Sequence, residues 1–335
     1  MRSQPHRRQA LELVARVINT PTLLALVIFA PCSVLAQEFP AKAIRIVAAT
    51  TAGSGHDSVA RLVAQGLSER VQQPVVVEPR PGAANMIAAE LVAKSAPDGY
   101  TLYMPAPTFI TAPLLYQKAP YDALRDFAPV TNVVHQPSVL VAHTAFPAKS
   151  VKELVALAKQ KPQEILFASS GAGGFQHLAV EVFLMMTGTR MTHVPYKGSG
   201  PGVIDLLGGR VAVMAPAILG GAPHVRSGKL RALGVTGAKR SAALNDVPTI
   251  AEAGVPGYDV TQWWGIVAPA RTPKDVISRL NKEFAAVLAV SETKERLARD
   301  GCEVGSNSPE EFGDYLRAER DKWAKVIKSA GIKLE

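Results

Sequence analysis

An α/β fold is predicted for this chain of 335 residues by three observations. Short apolar runs of strand character alternate with amphipathic helical stretches, the alternation restarts near residue 138, and residues 273–330 turn mostly helical. The first strand-like run is IRIVAAT (44–50). The helical stretch SVARLVAQGLSERV follows, with Val59, Leu62, Val63 and Leu67 on one face. PVVVE (74–78) is the second strand, AANMIAAELVAKS the second helical stretch and YTLYMPA (100–106) the third strand. This order predicts a mainly parallel sheet flanked by helices.

In the second half SVLVAH (138–143) leads into the helix SVKELVALAKQKP, where Ser150 with Glu153 three residues on is a capping signature. EILFASS (164–170) is the next strand and FQHLAVEVFLMM the next helix; MTHVPY, VAVMAP and LRALGVT supply further strands. After VPGYDVTQWWGIVAP (255–269) the pattern turns helical from Pro273, a residue that suits a first helical turn. The last helix, PEEFGDYLRAERDKWAKVIKSAG, mixes apolar and charged positions at helical spacing.

The N-terminus has a different character. Arg2, Arg7, Arg8 and Arg16 precede the apolar run TLLALVIFA (22–30), and VLA at 34–36 offers a small-x-small cleavage pattern. These features predict a secretory signal peptide over residues 1–36, cleaved after Ala36. The apolar run is short for a bilayer span. Pro31 beside Cys32 spoils a lipobox, and the residues after Arg7 and Arg8 fit a twin-arginine signal poorly. Removing the segment takes four Arg and one Glu, so the formal charge of +9 falls to about +6. Cys302 is then the one thiol left, which excludes an internal disulfide, a cysteine metal cluster and a Cys-X-X-Cys pair. It reads as a small buried residue. The basic residues are scattered rather than gathered in a stripe with aromatics, so nucleic acid is not the expected partner. A hydrophobic fraction of 47% against 19% charged suits a well-packed, ordered protein.

Two stretches, IRIVAATTAGSGHD and EILFASSGAGGFQH, repeat one design: an apolar strand, two hydroxyl residues, a glycine-rich turn and a helix start. A helix N-terminus offers unpaired N–H groups and about half a positive charge. Thr50, Thr51, Ser169 and Ser170 add hydroxyl donors. Two such ends facing each other across a cleft would hold a dicarboxylate at its two ends, or one carboxylate bidentately. Neither loop carries the Gly-Lys-Ser/Thr of a P-loop, and neither GSGHDS nor GAGGFQ has the third glycine of a dinucleotide fingerprint. Taken alone, each is an ordinary strand-to-helix turn. Their repetition favours a shared ligand role.

Catalysis has weaker support. His56 and Asp57 are adjacent at a helix start, where Asp57 is the expected cap, and adjacent helical residues do not face each other. His177 reads as a packed or capping histidine. The sequence has no Gly-x-Ser-x-Gly elbow and no His-Glu-x-x-His, and its seven histidines are dispersed singly. No catalytic residue, metal ligand set or cofactor is assigned.

FPAKAIRIVAAT, QPVVVEPRPGAANMIAAELVAKSAPDGYTL, FASSGAGGFQHLAVE, HVPYKGSGPGVIDLLGG, GKLRALGVTGAKRSAALNDVPTIAEAG and WWGIVAP occur in this order. Together they resemble the periplasmic solute-binding receptors of tripartite tricarboxylate transporters, the Bug family, over essentially the whole chain after the signal peptide. The resemblance implies a two-domain periplasmic binding protein, a hinged trap joined by crossing strands. Residues 37–140 and 258–335 would form the first domain and 141–257 the second, each a mixed, mainly parallel sheet flanked by helices. The implied ligand-binding residues are Thr51, Gly53, Ser54, Gly55, His56 and Asp57 of the first loop, with Ala106 and Thr108 after YTLYM. The second loop would give Ser169, Ser170, Gly171, Gly174 and Phe175, with Tyr196 and Lys197 nearby. The implied partners are a small carboxylate and the membrane permease subunits. A monomer is expected, since one receptor presents one face to its permease.

Departures from the family pattern narrow the ligand. The family's first loop usually carries a proline pair and a double glycine, where this chain has TTAGSGHD. His56 stands where Thr is common, Gly174 where Ser is common, and Pro216 where Asp is frequent. Loss of an acid at 216 removes a partner for a ligand amine, so a dicarboxylate or aromatic acid is expected rather than an amino acid. His56, Phe175, Trp263 and Trp264 lend some weight to an aromatic acid. The same trap would also suit a sensing adaptor for a sensor kinase ectodomain, and sequence does not separate the two roles. An enzyme would need a nucleophile with a base in reach, and no such pair is legible.

Overall fold

The computed structural model describes residues 39–331 except 51, 53, 83, 84, 197 and 300; the expected signal peptide lies outside the described residues. β1 (Ile44–Ala48), α1 (Gly55–Val71), β2 (Val75–Pro79), α2 (Met86–Ala93) and β3 (Thr101–Met104) follow one another as the periodicity predicts. β1 lies between β2 and β3, parallel to both. Ile44, Ile46 and Ala48 join one core cluster with Val59, Val63 and Leu67 of α1, while Val47 joins another. The strand is therefore covered on both faces, which explains its continuous apolar run.

α3 (Thr108–Leu115) leads into β4 (Phe127–Pro137), an 11-residue strand that the pattern does not single out. Pro129, Pro137 and the buried polar residues Thr131, Asn132 and Gln136 break its alternation. After Ser138 the chain enters β5 (Val139–His143) and the second sheet. α4 (Val151–Gln160), β6 (Leu166–Ser169), α5 (Phe175–Thr187), β7 (Thr192–Pro195) and α6 (Ser199–Leu207) come next. β8 (Val213–Met214), α7 (Ile218–Arg226) and β9 (Leu230–Val235) complete this half. β10 (Thr261–Pro269) returns to the first sheet, before α8 (Lys274–Ala289), α9 (Ser291–Arg299), β11 (Glu303–Val304) and α10 (Pro309–Ala330). Ser150 caps α4 as expected, and α10 opens on a reciprocal capping box between Ser308 and Glu311.

The first sheet runs β11-β4-β10-β3-β1-β2 and the second β7-β6-β8-β5-β9. Both are mixed and flanked by helices. Parallel pairing is confined to one end of each, β2-β1-β3 and β7-β6-β8, and supplies two of five pairings in the first sheet and two of four in the second. The remainder is antiparallel because β4 leaves the first sheet and β10 comes back along it. No helix among the described residues is long and apolar enough to cross a membrane.

α10 packs across both halves. Its Phe312, Leu316, Trp323 and Val326 belong to a cluster that also holds Val47 and Tyr103 from the first sheet and Phe167 and Phe183 from the second half. Buried Glu319 of α10 accepts from Trp263 Nε1 of β10 at 3.3 Å and from Trp323 Nε1 at 2.9 Å, and pairs with Lys322. A carboxylate is tolerated there because both oxygens are engaged.

At Gly265 β10 lies tight against Phe312 of α10. A Cβ at this position would overlap the ring of fully buried Phe312 and stand 3.0 Å from Thr131 O. Gly265→Ala is expected to destabilise the protein by about 1–3 kcal/mol through overpacking. Chemical denaturation should show a lower midpoint with an unchanged slope.

Candidate functional site

Parallel pairing brings the loops that follow β1, β2 and β3 to one edge of the first sheet, and those after β6, β7 and β8 to one edge of the second. Residues 54–57 follow β1, Ala106 and Thr108 follow β3, and residues 169–175 close β6 and open α5. Tyr196 follows β7 and Pro216 follows β8. Every described candidate thus lies at the carboxyl end of a parallel strand, where open α/β sheets bind ligands. Thr51, Gly53 and Lys197 lie outside the described residues.

Ser54, rather than Asp57, caps α1. Its Oγ accepts the Asp57 N–H at 3.2 Å and lies 2.5 Å from Thr50 Oγ1. Asp57 instead stands in the first turn, where a carboxylate favours the helix dipole. It is buried and accepts from Arg61 Nε at 2.9 Å, so the pair carries little net charge. His56 stacks on Trp264, with centroids 4.9 Å apart and planes 11° apart. Both rings are buried, and among the described residues neither His56 Nε2 nor Trp264 Nε1 has a hydrogen-bond partner. Trp263 points the other way, to Glu319, and belongs to the core. Across this edge Asn85 Nδ2 donates to Thr108 Oγ1 at 2.5 Å, tying the loop after β2 to the start of α3. Ala106 is buried and its carbonyl accepts the Phe109 N–H.

The second loop is closed by its own backbone. Gly171 and Gly173 have φ of 140° and 71°, a region that favours glycine. Gly174 N–H donates to Gly171 O at 3.2 Å, and Gly174 caps α5 without a side chain. Tyr196 N–H donates to Ser169 O and Gly198 N–H to Ser170 O, both at 3.1 Å, which joins the loops after β6 and β7. The Tyr196 hydroxyl is committed to Asp205 Oδ2 at 2.8 Å, so this residue offers the loop its backbone rather than its phenol. Phe175 is buried and meets Trp323 edge-on at 6.3 Å. Gln176 holds Ser199 Oγ through Nε2 at 3.1 Å, while its buried Oε1 has no partner among the described residues. Pro216 is buried and its carbonyl accepts the Val139 N–H at 3.0 Å, so it locks the end of β8 to the start of β5.

Sequence reasoning missed Asn85, Gln176 and His193. Ser169 Oγ lies 2.6 Å from His193 Nε2, a serine–histidine pair concealed by 24 residues of separation. Its geometry is that of a brace. Ser169 is wholly buried, and its Oγ accepts from Gly171 N–H at 3.1 Å and donates to Gly171 O at 3.0 Å. Among the described residues no group of three His, Cys, Asp or Glu is placed to hold a metal ion. What the described residues of the two edges offer is a set of uncharged polar groups: helix N-termini, hydroxyls, an imidazole and a side-chain amide.

Two of the imidazoles are held neutral. Burial pushes His56 down to about 3 against a smaller opposing pull from Asp57, and burial followed by His177 pushes His193 down to about 4. Both folded values lie below the ordinary value of 6.5, so the unfolded chain takes up protons first. Stability is therefore complete above pH 6.5 and falls as the pH drops through 4 toward 3. His56 alone accounts for a loss on the order of 4 kcal/mol across that window. Denaturation measured from pH 7 to pH 3 is expected to show the fall, and His56→Phe, which keeps a ring on Trp264, is expected to flatten it.

The chain matches the family described as tripartite tricarboxylate transporter family receptor over residues 59–332. BugT of Bordetella pertussis (strain Tohama I) is 37% identical over 316 residues, covering 92% of this chain and 94% of that protein. Among solved structures, R. palustris Rpa4515 with adipate aligns at a TM-score of 0.77 with 38% identity, covering 88% of this chain and 99% of that one. MatC (Rpa3494) from Rhodopseudomonas palustris with bound malate aligns at 0.74 with 30% identity, covering 86% and 100%. The family expected from the motif order is therefore the one found, and this protein belongs to the tripartite tricarboxylate transporter family of receptors.

Proposed function

We propose that this protein is a periplasmic receptor that captures a small dicarboxylate and delivers it to the membrane subunits of a tripartite tricarboxylate-type permease. The capturing bodies are residues 37–140 with 258–335 and residues 141–257, linked where β4 passes into β5 and where the chain returns to β10. One observation carries the reading. At each sheet edge a glycine loop ends in a helix N-terminus, and the second residue of that helix, His56 in one case and Gln176 in the other, has a buried polar atom without a hydrogen-bond partner among the described residues.

Each helix end would meet one carboxylate with N–H groups and a favourable dipole. Hydrogen bonds to an ionised oxygen are roughly twice as strong as neutral ones, so unpaired cations are not needed. Turning the Gln176 amide over would exchange donor and acceptor, and Ser199 Oγ can serve either. Two relatives point to the ligand class, since Rpa4515 was solved with adipate and MatC with malate. Pro216 offers no charge to a ligand amine, which favours a plain acid over an amino acid.

The test is a thermal-shift panel on residues 37–335 with adipate, malate, tricarboxylates, aromatic acids, amino acids and the corresponding amides. A cognate dicarboxylate at about 100 times its dissociation constant should stabilise the protein by about 2.7 kcal/mol, and amidation should abolish the shift. Silence across all acids would overturn carboxylate capture, and aspartate or glutamate outcompeting every plain acid would overturn the argument from Pro216. Delivery is checked by uptake of the ligand that scores, which should vanish in cells lacking the permease subunits.

A further inference from the structure

Three rings stack beside the second glycine loop: Phe167 of β6, His193 of β7 and His177 of α5. The two imidazoles lie 3.8 Å apart between centroids with planes 7° apart, and Phe167 lies 4.9 Å from His193. Each imidazole reaches the loop by a different nitrogen. His177 Nδ1 accepts the Gly173 N–H at 3.0 Å, which places the proton of the neutral ring on Nε2, facing Glu181 Oε1 at 3.4 Å. Ser169 Oγ gives its own proton to Gly171 O and takes the Gly171 N–H, so His193 Nε2, 2.6 Å away, is the donor in their contact.

The two imidazoles thus grip the two glycines of the loop that have positive φ. Glycine loses more freedom on ordering than any other residue, so such a loop keeps one shape only where something holds it. We propose that His177 and His193 are positioning residues for the second glycine loop: stacked as a neutral pair, they hold Gly173 directly and Gly171 through Ser169, and keep the N-terminus of α5 aimed at one end of the ligand. The part about the ligand rests on the carboxylate reading above. The part about the loop does not.

A second proton on either ring would disturb this arrangement. A further proton on His177 has only Nδ1 to occupy, and there it removes the acceptor of the Gly173 N–H. A further proton on His193 sets a charge against the face of the neighbouring imidazole and against Phe167. Glu181 is the acid that faces His177, on the same helix. From β6 the pair meets Phe167 and Ser169, both uncharged, and from β7 it meets the ring of His193 itself. The depressed value of His193, about 4, agrees with this arrangement. The grip on Gly173 therefore requires an unprotonated Nδ1 on His177.

The experiment is nitrogen-15 NMR on residues 37–335, with hydrogen exchange at the Gly171 and Gly173 amides and titration with adipate. Wild-type protein should show His177 protonated at Nε2 only, and both glycine amides protected. On acidification these two amides should lose protection while the helical signal by circular dichroism persists. His177→Phe keeps the stack but not the acceptor, and should cost about tenfold in Gly173 protection and in adipate affinity, the effect of one hydrogen bond. His177→Asn, whose Oδ1 can take the same N–H, should restore both. A wild-type His177 protonated at Nδ1 overturns the proposal, as do unchanged amide protection and affinity in His177→Phe. If that variant does not fold, the wild-type tautomer and acid titration decide alone. If adipate fails to bind wild type, the affinity arm uses the acid that scores in the thermal-shift panel; if no acid scores, the carboxylate reading is what fails, and the tautomer and exchange data still judge the brace.

Discussion

Where β4 and β10 run antiparallel, from the pairing of Phe127 with Pro269 to that of Pro137 with Thr261, two passes of the chain cross the molecule side by side. One pass leaves for the second sheet and the other returns from it, so the strand order of both sheets follows from this ladder. The alternation of a strand then divides two adjacent indoles. Trp263 faces α10 and the buried carboxylate of Glu319, while Trp264 faces α1 and the ring of His56. A single strand thereby fastens the helix that spans both halves and backs the first loop of the candidate site. Bulges at Trp264/Gly265 and Ile266/Val267 add local twist along this strand.

The charge around the proposed ligand site is arranged for an anion without being strongly basic. Arg61 is bonded to Asp57 and Arg45 is paired with Glu78, so the basic side chains closest in sequence to the first loop are already matched. His56 is neutral. An anion would be met by N–H dipoles, hydroxyls and rings, which spares the site the cost of burying a full cation in advance. The formal charge, +9 on the whole chain and about +6 without residues 1–36, would act at longer range, favouring the approach of anions before any contact forms. Attraction and grip are thus carried by different parts of the molecule, a useful separation for a receptor that must also let go.

How much of this was legible depended on whether the cause was local. The strands before both loops, the helices after them and the Ser150 cap are fixed by neighbouring residues, and each appears where the periodicity placed it. β4 was hidden because its pairing is long-range and its sequence carries two prolines and buried polar groups. Asp57 reads as a cap from composition, yet Ser54 takes the position because its hydroxyl reaches the Asp57 N–H. His177 reads as a packed or capping residue, and it is both: buried, with Nδ1 on the Gly173 amide. His193 carries no signal of its own, since its meaning comes from Ser169, a partner on a neighbouring strand. The phenol of Tyr196 was equally silent, because its partner Asp205 lies one helix further on.

The core sets a limit on any hinge. A trap of two freely rocking bodies calls for a modest, largely polar contact between them. Here one apolar cluster runs from Val47 and Tyr103 through Phe312, Leu316 and Trp323 of α10 to Phe167 and Phe183. Trp323 meets Phe175 edge-on at the first residue of α5, the very helix whose N-terminus carries the second loop. The Tyr258 hydroxyl adds a buried bond to Ala179 O, further along the same helix. If the two sheets move as separate bodies, a wide rotation would strip these contacts and expose apolar surface at roughly 25 cal/mol per Å². A narrow rotation that slides Phe175 along the edge of Trp323 would keep most of them. If the two sheets do move as separate bodies, the motion that conserves this core would be of small amplitude and centred on α10, with the second loop carried at the end of a helix anchored by Phe175 and Ala179.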